Sequence, residues 1–279
     1  MVRLALALAL LLAVRPGQLL AQDTSVDSAA VQEVRLTDGS TLYGWVLDDG
    51  DPVRFRLLSG DVLELSRLQV VSIHPARGRV VKGAFWKEDP NVTRLFFGPT
   101  GRGLRRGRGY FAAYELFMPF LGVAVTDNLV LAGGTLMFGG MDGHRPFWLA
   151  PKLRVFAGDA TDVAVGALVY AVDDESLGVL YGVATRGSPD RSLSMGLGYG
   201  FVNGDLGDRP AVMAGFDVRV SKSVKLLSEN YLFPGGVGLL SIGPRFFGER
   251  LSADVGLGVI FDGEGESFTF PIVNFVYAW

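Results

Sequence analysis

The chain contains no cysteine. That absence excludes a disulfide framework, a thiolate metal site and a bacterial lipid anchor. It has only two histidines, and no cluster with metal-ligand spacing stands out, so no metal or other cofactor is expected. Charge of one sign is also lacking. The 26 basic and 29 acidic residues leave a formal net charge of −3, so the chain carries no nucleic-acid footprint. Long apolar runs are missing too. The run at residues 4–14 falls short of the about 20 apolar residues that cross a bilayer as a helix. Yet 49% of the chain is hydrophobic, with 38 glycines, 13 prolines and 19 phenylalanines. Apolar residues spread thinly among many turn formers suit an all-β protein with outward aromatics.

The first residues have the order of a secretory signal peptide. Arg3 precedes the apolar run, and the small residue Ala21 follows it. Cleavage after Ala21 is expected, although Leu19 stands where a small residue is preferred. Residues 22–30 read as a polar lead-in.

Residues 22–75 predict a small β domain. Short alternating stretches at 31–36, 41–47, 53–58, 62–65 and 68–73 are separated by Asp38-Gly39, by residues 48–51 and by residues 59–61. The Asp-Gly pair is a hairpin signal. Five short strands of this kind look like an SH3-like or Sm-like barrel. Val34-Arg35-Leu36-Thr37-Asp38-Gly39, followed by Gly44 and Val46, is similar to the first Sm motif. The family's RNA-contact turn has no match in residues 66–73, so the resemblance implies a fold and not RNA binding. A partner protein or the rest of the chain is what such a module would pack against. Residues 76–91 read as a linker of mixed charge.

From residue 92 the pattern changes to amphipathic segments of roughly ten residues, the spacing of a transmembrane β-barrel. Candidate strands fall at 93–99, 110–125, 129–138, 147–157, 162–171, 177–185, 192–202, 211–220, 224–232, 237–247, 251–261 and 267–279. The count is twelve, or ten if the first strand and the bend at Pro119 do not form. Tight turns at Thr126, Gly158, Ser221 and Gly248 fall on one side, and longer loops at Gly139, Asn203 and Asp262 on the other. Bacterial barrels show short periplasmic turns opposite longer external loops. Alternation agrees: Leu251, Ala253, Val255, Leu257 and Val259 share a face opposite Ser252, Asp254, Gly256 and Gly258.

The last stretch, SFTFPIVNFVYAW, places Phe275, Tyr277 and Trp279 on one strand face. It resembles the closing strand of bacterial outer-membrane β-barrels, which the barrel-assembly machinery reads. The stretches 91–97, 109–111 and 126–128 are similar to segments of uncharacterised members of that group. The resemblance implies residence in the outer membrane, with the small domain in the periplasm.

Charges on the face opposite the apolar one should point inward, because Arg or Lys facing hydrocarbon costs about 2–4 kcal/mol at the midplane. These are Lys152, Arg154, Asp217, Arg219, Lys225, Glu229, Arg245 and Asp254. They are expected to line the lumen and set selectivity. Gly196, Gly198, Gly200, Gly256 and Gly258 leave space there, and no later segment reads as a plug. Arg102, Arg105, Arg106 and Arg108 form a basic glycine-rich loop expected at the outer rim, where arginine suits lipopolysaccharide phosphates. Asp142 and His144 share a loop and would be the residues of a hydrolase, but no second acidic pair or nucleophile is placed with them. The expected protein is therefore not an enzyme. It is a narrow passive channel for small polar solutes or, alternatively, a closed barrel that anchors a periplasmic interaction module.

Overall fold

The computed structural model describes residues 30–137, 147–172 and 175–279. The expected signal peptide, and the loop with Asp142 and His144, lie outside the described residues. The chain divides between Glu88 and Asp89 into two compact units.

In the first unit, alternating short segments pair as an antiparallel sheet. Its strands are β1 (Gln32–Leu36), β2 (Thr41–Asp48), β3 (Val53–Leu57), β4 (Val62–Leu65) and β5 (Val70–Pro75), in the order β4-β3-β2-β1-β5. The Asp38-Gly39 turn forms as its sequence dictates. Gly39 takes a positive φ of 85°, and the Asp38 carboxylate accepts the Ser40 N–H at 2.8 Å. Val34, Val53, Phe55 and Leu65 make the core. The stretch read as a linker is not structureless. It holds a hairpin, β6 (Gly78–Val81) and β7 (Ala84–Lys87). Lys82 and Gly83 both take positive φ, the requirement of a type I′ turn. Phe85 stacks on Tyr43 with ring centroids 4.4 Å apart, which ties the hairpin to the sheet.

In the second unit the wall strands are β8 (Gly109–Tyr114), β9 (Met118–Ala124), β10 (Leu129–Thr135), β11 (Phe147–Leu149), β12 (Lys152–Ala157), β13 (Thr161–Val172), β14 (Glu175–Ser188), β15 (Arg191–Val202), β16 (Asp205–Leu206), β17 (Ala211–Ser221), β18 (Val224–Leu232), β19 (Gly238–Phe247), β20 (Leu251–Phe261) and β21 (Ser267–Ala278). β11 and β12 are one strand interrupted at Ala150-Pro151, because proline offers no ladder donor. β16 only extends the end of β15. Fourteen strands less these two leave a closed antiparallel barrel of 12 among the described residues. β21 pairs with β8, and β9 with β10, which closes the ring.

The number twelve stands, but two of its members differ from expectation. Residues 93–99 are not in the wall. Gly98 and Pro99 break the ladder there, and only one isolated bridge, Arg94 to Pro99, forms. Residues 110–125 are two strands instead of one. The chain reverses at Glu115 and Leu116, both with positive φ. No glycine marks that turn, so its sequence carries no signal.

Alternation sets the faces. Along β21, Ile272, Asn274, Val276 and Ala278 are buried, whereas Phe275, Tyr277 and Trp279 are exposed. Along β20, Ser252 and Asp254 are buried while Leu251, Val255 and Leu257 are exposed. The outer wall is apolar and the polar row points inward, the pattern of a barrel in lipid and the reverse of a soluble sandwich.

Candidate functional site in the barrel lumen

Eight-stranded barrels fill their interior with side chains, and barrels of 16–18 strands leave a channel. Here the half of the interior nearer the tight turns is filled by the chain itself. Of residues 89–108, just ahead of β8, the stretch 89–101 lies inside the wall and folds back on itself. The Leu95 N–H donates to the Gly98 carbonyl at 2.9 Å, and the Thr100 N–H to the Thr93 carbonyl at 3.0 Å.

The wall holds this segment mainly through its backbone. Arg245 is the hub. Its guanidinium donates to Asp254 at 2.6 and 2.9 Å. It also donates to the carbonyls of Asn91 at 2.7 Å, Arg94 at 3.2 Å and Leu95 at 2.7 Å. Asp89 joins it at 3.4 Å. Lys225 bridges the same Asp89 at 3.0 Å and Asp217 at 2.9 Å. Asp217 in turn accepts the Ser192 hydroxyl. Glu229 accepts the N–H groups of Phe97 at 3.1 Å and Gly98 at 2.9 Å, and the Tyr231 hydroxyl at 2.8 Å. The Lys152 ammonium donates to the carbonyls of Thr93, Thr100 and Arg102 at 2.9–3.2 Å. Thr185 accepts the Gly101 N–H at 2.8 Å. Asn274 donates to the Phe96 carbonyl at 3.0 Å.

Side chains of the segment add packing. Leu95 and Phe96 join Leu227 and Ile272 in a buried cluster. Glycine in the wall gives them room: a Cβ at Gly215 would strike Leu95, and one at Gly256 would come within 3.2 Å of Phe96. Arg94 donates to the hydroxyls of Tyr110 and Tyr114 and lies over the Tyr110 and Phe120 rings at 4.5 and 4.7 Å.

The charges balance. Arg94, Lys152, Lys225 and Arg245 oppose Asp89, Asp217, Glu229 and Asp254, and all but Arg94 are less than a tenth exposed. In so dry a site each group needs its partner, since an unpaired buried charge is costly.

Of the eight residues expected to line the lumen, six therefore converge: Lys152, Asp217, Lys225, Glu229, Arg245 and Asp254. They face the inserted segment and not water, so they line no open pore in this state. Arg154 and Arg219 stand apart, near the tight turns. Arg154 pairs with Asp162 at 3.5 Å and donates to the Asp127 carbonyl. Arg219 pairs with Asp190 at 3.2 Å and lies over Phe247. The arginine loop is not at the loop end of the barrel. Arg102 donates to the Ser188 carbonyl at 2.6 Å, and the Arg106 N–H donates to Asp127 at 2.8 Å. With Arg105 and Arg108 it sits at the end that holds the tight turns and Trp279, because residues 101–108 lead straight out of the lumen into β8.

Asp89, Arg94 and residues 95–98 were the functional residues that sequence patterning missed. Gly98-Pro99-Thr100-Gly101 was the available signal, being a turn signature in the middle of a supposed strand.

No family model matches the chain, and no curated protein matches it. Among solved structures, it is similar to the KdgM porin in complex with disordered oligogalacturonate, at 8% identity and a TM-score of 0.47, over 62% of this chain and 98% of that one. It is also similar to the outer-membrane expressed OmpT of Vibrio cholerae, at 11% identity and a TM-score of 0.35, over 92% of this chain and 100% of that one.

Proposed function

We propose that the protein is a bacterial outer-membrane channel for small polar solutes, shut at rest by its own residues 89–108. The observation that carries this reading is the way the segment is held. Its backbone is gripped by a ring of wall charges, while its apolar contact with the wall centres on Leu95 and Phe96. If the segment leaves, what remains is a wet, charged wall of the kind that passes polar solutes and selects among them. The apolar outer wall, the even strand number and the outward Phe275, Tyr277 and Trp279 support residence in the outer membrane and assembly by its machinery.

The strand order β4-β3-β2-β1-β5, with a 3-10 helix at Arg67–Gln69 before β5, supports an SH3-like or Sm-like reading of the first unit. With the tight turns in the periplasm, this unit is periplasmic and binds a partner there. The partner's pull on Glu88 is the simplest way to draw the segment out. The arginine loop then faces the periplasm, not lipopolysaccharide.

The test is conductance in a planar bilayer. Wild type should show rare, brief openings. Arg245→Gln combined with Lys152→Gln should raise open time at least tenfold. A Leu95→Cys, Gly215→Cys pair, oxidised, should abolish current until reduced; the native chain has no cysteine to interfere. A second reading, a closed barrel that anchors the small unit, is favoured by the full pairing of the lumen charges. Silence of the loosened variant, with folding shown by gel mobility, would establish it and end the channel.

A further inference from the structure

Beyond the inserted segment, the half of the lumen nearer the longer loops has a different chemistry. Register carries the inward faces of the strands into it without a slip. On β14 the inward row that contains Thr185 and Val183 continues to Val179 and Leu177, paired with Gly200 and Val202 of β15. On β20 and β21 the row through Asp254 and Asn274 continues to Ile260 and to Phe270 and Phe268. These inward side chains are apolar, and several are open to solvent: Leu177 43%, Val202 57%, Ile260 40% and Phe268 65%. A Cβ built on Gly200 would meet only one atom, 3.8 Å away. Among the described residues, no inward strand position between these side chains and the segment carries a charge; the first charges are at the rim, Glu175 and the Asp205 that pairs with Val202, and both are acidic. Trp148 stands on the inward row against Phe120 and Tyr170, at 4.8 and 6.4 Å between ring centroids. It is 95% buried, and its indole N–H has no hydrogen-bond partner among the described residues.

We propose that this chamber binds a neutral single-chain acyl compound, of fatty-acid ester type, entering from the loop end. The inserted segment forms the chamber's floor. Apolar surface exposed inside a concave site is what an alkyl chain would cover. A saccharide would find too few polar groups to replace its water. An ionised carboxylate would lose its hydration with no cation nearby. An ester oxygen could take the unused Trp148 donor. The site stands whether or not the segment ever moves.

The probe is methyl dodecanoate brominated along its chain, added to the full protein in nanodiscs of unbrominated lipid, with tryptophan emission as the readout. Saturable quenching is expected, and it should vanish in Trp148→Phe. Val202→Asp should weaken binding more than tenfold. Gly200→Leu, which fills the space without adding charge, should do the same and serves if Val202→Asp does not fold. The free dodecanoate anion should bind at least tenfold more weakly than the ester. Quenching that rises linearly with probe and is equal in all variants would mean partition into lipid and would overturn the proposal. So would equal binding of the anion, or displacement of the probe by a neutral oligosaccharide.

Discussion

The two halves of one lumen are built on the same strands but obey opposite rules. Toward the tight turns, the inward row of β20 offers Ser252 and Asp254; toward the loops it offers Gly258 and Ile260. The first half is dense, charged and fully paired with an inserted chain. The second is apolar below its acidic rim and partly open. The difference teaches that strand alternation only decides which side chains point inward. What they meet there decides whether they act as a clamp or as a receptor.

The comparison breaks most severely at Arg245. Arg245→Ala leaves Asp254 without its cation, Asp89 with Lys225 alone, and three carbonyls without the guanidinium donor. Loss of one partner of a buried pair costs about 3–5 kcal/mol, which urea unfolding in detergent would register. Lys152→Met comes next. It strips the donor from three carbonyls, and an unsatisfied buried group costs about 1–3 kcal/mol. Its second expected effect is faster proteolysis within residues 89–108. Gly215→Val is similar in size, about 1–3 kcal/mol of overpacking against Leu95. Phe268→Ser, in the open half, should shift stability by less than about 0.5 kcal/mol; a larger loss would show that the chamber is packed after all. Orientation is checked by labelling intact cells with an impermeant thiol reagent. Glu264→Cys should react and Lys222→Cys should not, and the reverse would invert both halves.

Much of the wall was legible. The segment 251–261 coincides with β20, and 192–202 and 211–220 differ from β15 and β17 by one residue at an end. Long strands with one apolar face write their period into the sequence. The six converging charges were legible as inward for the same reason. The inserted segment was not. It is recognised through carbonyls and N–H groups, which every residue carries, so its side chains spell no pattern. The reversal at Glu115 was hidden because two non-glycine residues adopt the left-handed conformation there. The apolar half of the lumen was hidden by its own composition, since apolar residues on both faces erase the alternation that tells in from out.

The inserted segment begins at Asp89, beside Lys225 near the start of β18, and ends at Gly109, beside Trp279. Both of its ends thus leave by the same mouth. It is a bight pushed into the barrel. The ring of strands can close before or after the bight goes in, and the bight can come out without threading a folded domain through the wall. In topological language an emptied form would be unlinked from the closed one, so passage between them would break hydrogen bonds, ion pairs and the packing of Leu95 and Phe96, but would need no threading.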